Sequence, residues 1–208
     1  MKRIGITGGI GSGKSEVTGL LRRKGYAVID ADEVSRESAI PGEPAMLRLR
    51  EELNALGGDL VGIVFNEDGS LDRKASAKLM FSDPSVLEIF NRIFHEDIWR
   101  RIEAAALKME EAGKEVVFVS AALLFEAGGD RKVDEVWLIT ADEGLRISRT
   151  KQRDGLSEAD VRARMATQMP EEEKRLHSDV IIENNGTVEE LYAIVEEQLA
   201  KDAKAKES

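Results

Sequence analysis

The run Gly8-Gly9-Ile10-Gly11-Ser12-Gly13-Lys14-Ser15 constrains the fold of this chain more than any other feature. It fits the pattern G-x-x-x-x-G-K-S/T and lies between an apolar run and a segment of helical periodicity. In that pattern glycines let the backbone curl so that N–H groups surround a phosphate, and the following helix adds partial positive charge. Lys14 then reaches the β- and γ-phosphates of a nucleotide, and the Ser15 hydroxyl binds Mg²⁺. The alternative interpretation is a glycine-rich turn with a purely structural use.

Short runs rich in β-branched residues alternate with longer helical segments, as in βαβ units joined into a parallel sheet. The runs are nearly continuous in apolar residues, which is typical of strands covered on both faces. Strands are predicted over residues 3–7, 27–30, 116–120, 135–140 and 179–182. The first helix is predicted over 15–24, with Gly25 at its C-terminal cap. The pattern therefore predicts an α/β fold.

Two long segments interrupt this alternation. Between residues 33 and 113 the chain has helical segments broken by proline and glycine, which is too long for a crossover loop. Residues 142–177 contain helical segments dense in arginine. We expect one domain over residues 1–208 with a helical acceptor-binding subdomain at about 33–113 and a lid at about 142–177. The C-terminal residues 200–208 are expected to be a fraying helix end.

Composition narrows the classes of partner. The chain has 30 basic and 40 acidic residues, a net charge of −10, so a partner that binds through phosphate neutralisation of a nucleic-acid duplex is not expected. It has no cysteine, which excludes disulfides and thiolate metal sites and is compatible with a reducing compartment. No apolar run resembles a signal peptide or reaches the ~20 residues of a membrane span. We expect a cytoplasmic protein without a membrane partner, and the sequence does not indicate its oligomeric state.

Two carboxylates, Asp30 and Asp32, lie at the end of the second predicted strand. Ligands of an open parallel sheet bind outside the carboxyl ends of its strands, so these side chains are expected to face the same crevice as the phosphate loop. A carboxylate there can accept a proton from an attacking hydroxyl or hold a water on Mg²⁺. The alternative for either residue is a helix N-cap.

The stretch from Arg146 to Arg164 has six basic and three acidic side chains within a strongly acidic protein. Guanidinium groups on mobile lids often offset the charge of a transferring phosphoryl group. We select Arg149 and Arg153 for that role and interpret the other basic residues as solvated or paired. His95 and His177 are each interpreted as structural residues.

An ordered set of segments resembles the dephospho-CoA kinase family over nearly the whole chain. The set comprises residues 7–15, 28–32 with Arg36, 41–45, 68–73, 123–126, 152–154 and 179–186. The resemblance implies a P-loop kinase fold with parallel strand order 2-3-1-4-5, a helical substrate subdomain and a lid. It also implies Mg·ATP-dependent phosphorylation of the ribose 3′-hydroxyl of dephospho-CoA, so the expected partners are these two small molecules and the expected cofactor is Mg²⁺.

The resemblance also assigns roles to residues. It makes Asp32 the catalytic aspartate, places Thr7 and Arg36 near the acceptor, and places Asn184, Asn185 and Gly186 near the adenine of ATP. Together with the loop pattern, it predicts that catalysis depends on Asp32, Lys14 and Arg149. The predicted ATP site consists of Gly11, Ser12, Gly13, Lys14, Ser15, Glu16, Arg149, Arg153, Asn184, Asn185 and Gly186. The predicted Mg²⁺ ligands are Ser15 and, directly or through water, Asp32.

The chain departs from the family pattern at three places. Glu16 replaces the usual Thr, which puts an acid in the first helical turn close to bound phosphate. Glu96 replaces the usual Pro after His95, which weakens any role carried over to that histidine. Ser120-Ala121-Ala122 lacks the acid that often ends the third strand, so more of the metal chemistry would fall on Asp32.

Two rival interpretations remain open at the level of sequence. One is another small-molecule P-loop kinase, acting on a nucleoside, a nucleoside monophosphate or shikimate. The other is a nucleotide-binding switch without an acceptor. A GTP-dependent switch would carry an Asn-Lys-x-Asp signature, which the sequence does not contain.

Overall fold

A computed structural model describes the chain from Met1 to Lys206, and the backbone forms two compact units. The first unit combines Met1–Asp30 with the described residues from Lys108 onward, and the second is Ala31–Leu107. The second unit thus starts two residues earlier and ends six residues earlier than the helical insertion predicted from sequence. The last two residues of the predicted fraying end lie outside the described residues.

The first unit is built on a parallel sheet of five strands among the residues described. In chain order the strands are β1 (Lys2–Thr7), β2 (Ala27–Asp30), β3 (Val116–Ser120), β4 (Glu135–Thr140) and β5 (Val180–Glu183). Their spatial order is β2-β3-β1-β4-β5, which confirms the order implied by the resemblance. The predicted bounds are correct for β2, β3 and β4. β1 begins one residue earlier than predicted, and β5 lies one residue later because Asp179 binds the backbone of Val136 before the strand begins.

Helices separate the strands. In chain order they are α1 (Lys14–Arg23), α2 (Ala31–Ser38), α3 (Pro44–Leu56), α4 (Leu60–Val64), α5 (Arg73–Ser82), α6 (Pro84–Glu111), α7 (Glu143–Asp154), α8 (Glu158–Met165), α9 (Glu171–Leu176) and α10 (Val188–Lys206). A short 3₁₀ turn, Gly129–Lys132, follows β3. The predicted cap at Gly25 is confirmed, since this glycine has a φ of 83° just after α1.

The core of the first unit lies around the sheet. Ile4, Ile6 and Phe118 are buried on strands, Val17 and Leu21 come from α1, and α10 adds further apolar side chains. The Trp137 ring is fully buried against Phe118. Apolar side chains at the spacing of one helix face thus hold α1 against the sheet, and with it the loop that precedes α1.

The second unit is helical and has a separate core. Its buried side chains come from α3, α4 and α6, among them Leu49, Val64 and Phe90. Asp97 is also buried on α6 and accepts hydrogen bonds from Ser38 Oγ (2.7 Å) and a neighbouring arginine. Trp99, also on α6, is only half-buried. It lies two residues from Asp97, which places it off the buried face of the helix.

None of the helices in the described part of the chain is both long and apolar enough to cross a membrane.

Candidate active site

The loop between β1 and α1 is a tight turn of backbone. Gly11 and Gly13 have φ values of 77° and 97°, which only glycine adopts without strain. The Ser12 N–H donates to the Gly9 carbonyl (3.1 Å), and the Glu16 N–H donates to the Gly13 carbonyl (3.0 Å) as α1 begins. The glycines of the motif therefore allow the loop to curl around the N-terminus of the helix.

Several polar groups of this loop have no protein partner. Within residues 1–206 the N–H groups of Gly11 and Gly13 donate no hydrogen bond, and the buried Ser12 Oγ makes none either. A buried hydroxyl that the protein does not satisfy requires another partner, and the two half-buried N–H groups beside it can bind the same one. The helix N-terminus makes a phosphate oxygen the most favourable one. This part of the loop therefore fits a phosphate chain.

Glycine is also needed because neighbouring segments approach the loop closely. A Cβ atom at Gly8 would be 2.5 Å from Ser12 Oγ, and a Cβ at Gly11 would be 2.7 Å from Thr150 Oγ1. A Cβ at Gly13 would collide with the Asn184 side chain. The loop is therefore enclosed by the segments after β4 and β5, and its shape depends on both.

The Lys14 ammonium donates a hydrogen bond to Ser120 Oγ at 2.6 Å. Ser120 is fully buried at the carboxyl end of β3, where its neighbours in the sheet register are Ile6 and Asp30. The serine at this position, one of the departures found in the sequence, thus gives the lysine a hydroxyl partner.

Ser15 and Glu16 form the first turn of α1 and are both exposed. The Glu16 carboxylate accepts a hydrogen bond from the Tyr192 hydroxyl at 3.1 Å. Tyr192 on α10 therefore binds the carboxylate of Glu16, the acid that the sequence places close to bound phosphate.

The segment after β5 contacts the loop through Asn184, which is buried. Its side chain donates to the Ser12 carbonyl (2.8 Å) and its backbone carbonyl accepts from Arg149 Nη1 (3.0 Å). Asn185 is exposed and pairs with both the backbone and the side chain of Asp142, at the start of α7. Asn184 thus joins the loop, β5 and α7 at a single point.

The arginines predicted to bind ATP lie at successive positions along α7. Arg149 is half-buried beside Asn184, whereas Arg153 is exposed and forms two hydrogen bonds with Asp154, at 2.7 and 2.9 Å. The hydrogen bonds that Arg153 donates to Asp154 raise the pKa of Arg153, so its charge is held against a carboxylate of its own helix. The structure therefore brings Arg149 to the phosphate loop and leaves Arg153 at the surface.

Sequence analysis interpreted Arg146 as a solvated or paired side chain, but the residue is buried against the loop. Its Nε donates to the Ile10 carbonyl (3.1 Å) and its Nη1 pairs with Glu171 Oε2 (2.5 Å). Gln168, which sequence analysis did not select, accepts a hydrogen bond from the Ile10 N–H (3.0 Å). No signal in the sequence links these residues, because they lie up to 158 positions from their partners.

A second buried ion pair holds the start of α9. Lys174 is 2% exposed and lies 3.0 Å from Glu126 Oε1. Burial alone would raise the pKa of Glu126. The hydrogen bonds from the Met169 N–H and from its own backbone, together with Lys174, outweigh burial, so the pKa of Glu126 is lowered from 4.5. Glu126 belongs to the segment 123–126 that supports the resemblance, so the sequence did contain a signal for this residue.

The residues predicted to be near the acceptor are distributed over both units. Thr7 is fully buried at the end of β1 and donates to the Ala122 carbonyl at 3.4 Å. Asp30 ends β2, while Asp32 and Arg36 are exposed residues of α2, in the second unit. His95 is half-buried on α6, and burial lowers its pKa.

No group of three or more histidine, cysteine, aspartate or glutamate side chains able to hold a metal occurs in the part of the chain that is described. Mg²⁺ commonly binds through one or two protein oxygens together with substrate phosphates and water. The exposed hydroxyl of Ser15, next to the unsatisfied donors of the loop, fits that kind of donor set.

Comparisons with known proteins agree with this geometry. A family model described as dephospho-CoA kinase matches residues 2–190. A dephospho-CoA kinase of Geobacter sulfurreducens is 42% identical over 201 residues, covering 97% of this chain and 98% of the relative. A solved structure from Thermus thermophilus is 38% identical and superposes with a TM-score of 0.75, over 96% of this chain and 97% of that one. The structure of a Campylobacter jejuni dephospho-CoA kinase, 23% identical, covers 99% of this chain and 100% of its own with a TM-score of 0.69, and supports the fold.

Proposed function

The chain belongs to the dephospho-CoA kinase family, and from this premise we propose how its residues carry out phosphoryl transfer. The reaction is the last step of coenzyme A synthesis. The ribose 3′-hydroxyl oxygen of dephospho-CoA bonds to the γ-phosphorus of ATP as the bond from that phosphorus to the β,γ-bridging oxygen breaks. The products are coenzyme A and ADP, and the hydroxyl proton passes to a base.

The single observation that supports these roles best is the set of unsatisfied donors in the phosphate loop. The N–H groups of Gly11 and Gly13 and the Ser12 hydroxyl surround the proposed phosphate site. Lys14 adds a charge that a neutral hydroxyl holds in place. Such preorganised donors stabilise the charge that develops on the transferring phosphoryl group.

Asp32 is proposed as the base that accepts the hydroxyl proton. It follows the last residue of β2 by two positions, and the resemblance matches it to the catalytic aspartate of the family. Thr7 and Arg36 are proposed to lie near the acceptor on the same grounds, and Ala31–Leu107 is proposed as the acceptor-binding unit. An Asp32→Asn variant is the test of the base, with an expected fall in kcat of about 10²-fold or more.

The remaining roles concern ATP. Arg149 and Arg153 are proposed to contact its phosphates from a lid formed by residues 142–177. Asn184, Asn185 and Gly186 are proposed to lie beside the adenine, and Glu16 at the edge of the phosphate site. Arg149 has the strongest structural support, because Asn184 already holds its guanidinium next to the loop.

Mg²⁺ is proposed as the cofactor. Ser15 would hold it through its hydroxyl, and Asp32 would hold it directly or through water. When bound, the ion would neutralise phosphate charge. The proposal also includes a cytoplasmic location, because the reaction consumes ATP, and cell fractionation would test it.

An acceptor panel tests the function as a whole. We expect kcat/KM for dephospho-CoA to exceed that for adenosine or AMP by about 10²-fold or more, because the remote arm of the acceptor contributes binding energy that orients the hydroxyl. The measurement is ADP release with each acceptor, followed by phosphorus NMR to locate the new phosphate. Equal use of AMP, or phosphorylation at another position, would contradict the acceptor assignment and leave the phosphate loop assignment intact.

A further inference from the structure

The peptide group that joins Ile10 to Gly11 is held from outside the phosphate loop. Its carbonyl oxygen accepts a hydrogen bond from Arg146 Nε at 3.1 Å. The preceding N–H, that of Ile10, is held as well, by Gln168 Oε1 at 3.0 Å. Two side chains from the segment 142–177 therefore bind both polar backbone groups of a single residue at the crest of the loop.

The geometry of the peptide bond gives this contact a consequence inside the loop. In a trans peptide the C=O and N–H point to opposite sides, so Arg146 on the Ile10 carbonyl turns the Gly11 N–H away from itself. That N–H has no acceptor within the described residues. Gly11 has a φ of 77° and lacks a Cβ, so rotation of this peptide meets little steric resistance unless another group holds it.

The Arg146 guanidinium is itself fixed. The residue is 7% exposed, and its Nη1 pairs with Glu171 at 2.5 Å. Glu171 also accepts a hydrogen bond from the Thr140 hydroxyl at the end of β4. A Cβ atom at Gly9 would lie 2.8 Å from Arg146 Cζ, so the guanidinium packs directly on the loop backbone. Its charge is therefore compensated by protein.

We infer that Arg146 is a positioning residue for phosphoryl transfer: by holding the Ile10 carbonyl, it fixes the Gly11 N–H toward the phosphates of the nucleotide. This inference rests on the proposed function, since it assigns the phosphates of ATP to the loop. Arginine suits the role because separate nitrogens bind the carbonyl and Glu171 at the same time. A lysine has a single nitrogen and a different reach.

The competing role for Arg146 is direct contact with the base of the nucleotide. Arg146, Glu171 and Asn185 line a cavity of about 330 Å³ beside the loop, and the proposed adenine site is close to Asn185. A base contact would change binding of ATP and leave binding of a bare phosphate chain unchanged. A loop-positioning contact would change both.

The experiment therefore compares two ligands in Arg146→Met. The measurements are the Kd of Mg·ATP, inhibition by magnesium tripolyphosphate, kcat, the KM of dephospho-CoA and Tm. Arg162→Met is the matched control, because Arg162 is an exposed arginine of α8 paired with Glu143 and Glu158. We expect kcat/KM for ATP to fall about 10- to 100-fold in Arg146→Met, since a small misplacement of a donor has effects of that order. The affinities for Mg·ATP and for magnesium tripolyphosphate should fall by the same factor, and the KM of dephospho-CoA should be unchanged.

Other outcomes would overturn the inference. Weaker ATP binding with unchanged tripolyphosphate inhibition would assign Arg146 to the base. A lower Tm with unchanged kinetics of the folded enzyme would make the residue structural. If Arg146→Met does not fold, Glu171→Gln supplies the test. We expect it to lower the affinities for Mg·ATP and for magnesium tripolyphosphate by about threefold each. Should the wild-type protein fail to phosphorylate dephospho-CoA, the proposed function is wrong, and displacement of bound Mg·ATP by magnesium tripolyphosphate, compared between the wild-type protein and Arg146→Met, still decides the role of Arg146.

Discussion

The phosphate loop and the arginine-rich segment 142–177 both contain positively charged side chains, but they position them by different means. In the loop, Lys14 begins α1, so local chain geometry places its ammonium beside the loop. In the arginine-rich segment each guanidinium is placed by a partner that is distant in sequence or by an acidic neighbour on the surface. Local geometry is encoded in a motif, whereas placement by a distant partner is not.

The contrast is also visible along one helix. Arg146, Arg149 and Arg153 are spaced by three and four residues, so they lie on the same face of α7. Their exposure nevertheless rises along the helix, from buried Arg146 to half-buried Arg149 and exposed Arg153. The first turns of α7 pack against the phosphate loop, and the last turn does not. Position along the helix axis, as well as helix face, therefore decides what each arginine contacts.

The largest effect on turnover is expected from the loop. Lys14→Ala removes the charge at the β- and γ-phosphates and should lower kcat by about 10³-fold or more, with the fold retained. Lys24→Ala is the matched control, because it removes a lysine at the other end of α1 that forms an ion pair with Glu196. Near-normal kcat in Lys14→Ala, measured by ADP release, would remove the loop from the mechanism.

Substitutions of the arginines of α7 are expected to lower kcat less than Lys14→Ala does. Lysine retains the charge and loses the planar fork, so Arg149→Lys should lower kcat about tenfold and Arg153→Lys about threefold. Steady-state kinetics with ATP would measure both, with Arg162→Lys as control. Unchanged kinetics in both variants would assign these arginines to the surface, and a larger effect at Arg153 would reverse the order derived from burial.

The smallest effect on turnover is expected where the segment returns to the sheet. Glu126→Gln leaves buried Lys174 without its counter-charge and should lower the free energy of unfolding by about 3 kcal/mol at pH 7, with little change in kcat per folded molecule. Because the pKa of Glu126 is lowered from 4.5, its stabilisation is complete above that pH and is lost as the pH falls through the lower folded-state pKa.

Urea unfolding at a series of pH values would check this expectation. The difference between the wild-type protein and Glu126→Gln should shrink as the pH falls below 4.5. Glu158→Gln, on an exposed pair, is the control and should show almost no difference at any pH. A difference that grows on acidification would mean that the ion pair does not stabilise the folded state.

The strands and the loop were predictable from the sequence because each is determined by residues that are neighbours along the chain. Apolar runs marked β2, β3 and β4 with correct bounds, and the glycine pattern marked the turn before α1. The bounds predicted for β5 were one residue too early, because a polar residue, Asp179, precedes the strand and binds another strand. Strand order entered through the resemblance, since nothing local specifies which strands become neighbours.

The remaining contacts of the site depend on tertiary packing. Ser120 was recognised as a departure from the family, but only the structure shows that its hydroxyl holds Lys14. Arg146 was grouped with the arginines interpreted as solvated or paired, because a sequence count cannot distinguish a buried guanidinium from an exposed one. Its partners Ile10 and Glu171 lie 136 and 25 residues away, and no periodicity links them.

The hydrogen bond from Asn184 to the Ser12 carbonyl spans 172 residues and so bears on how the protein matures. The loop motif is synthesised before Asn184, which lies 172 residues further along the chain. Closing so long a segment costs conformational entropy before any contact compensates for it. A nascent chain that ends before β5 would therefore contain the complete nucleotide motif without the Asn184 contact, and full affinity for nucleotide would be acquired only once β5 and Asn184 have been made.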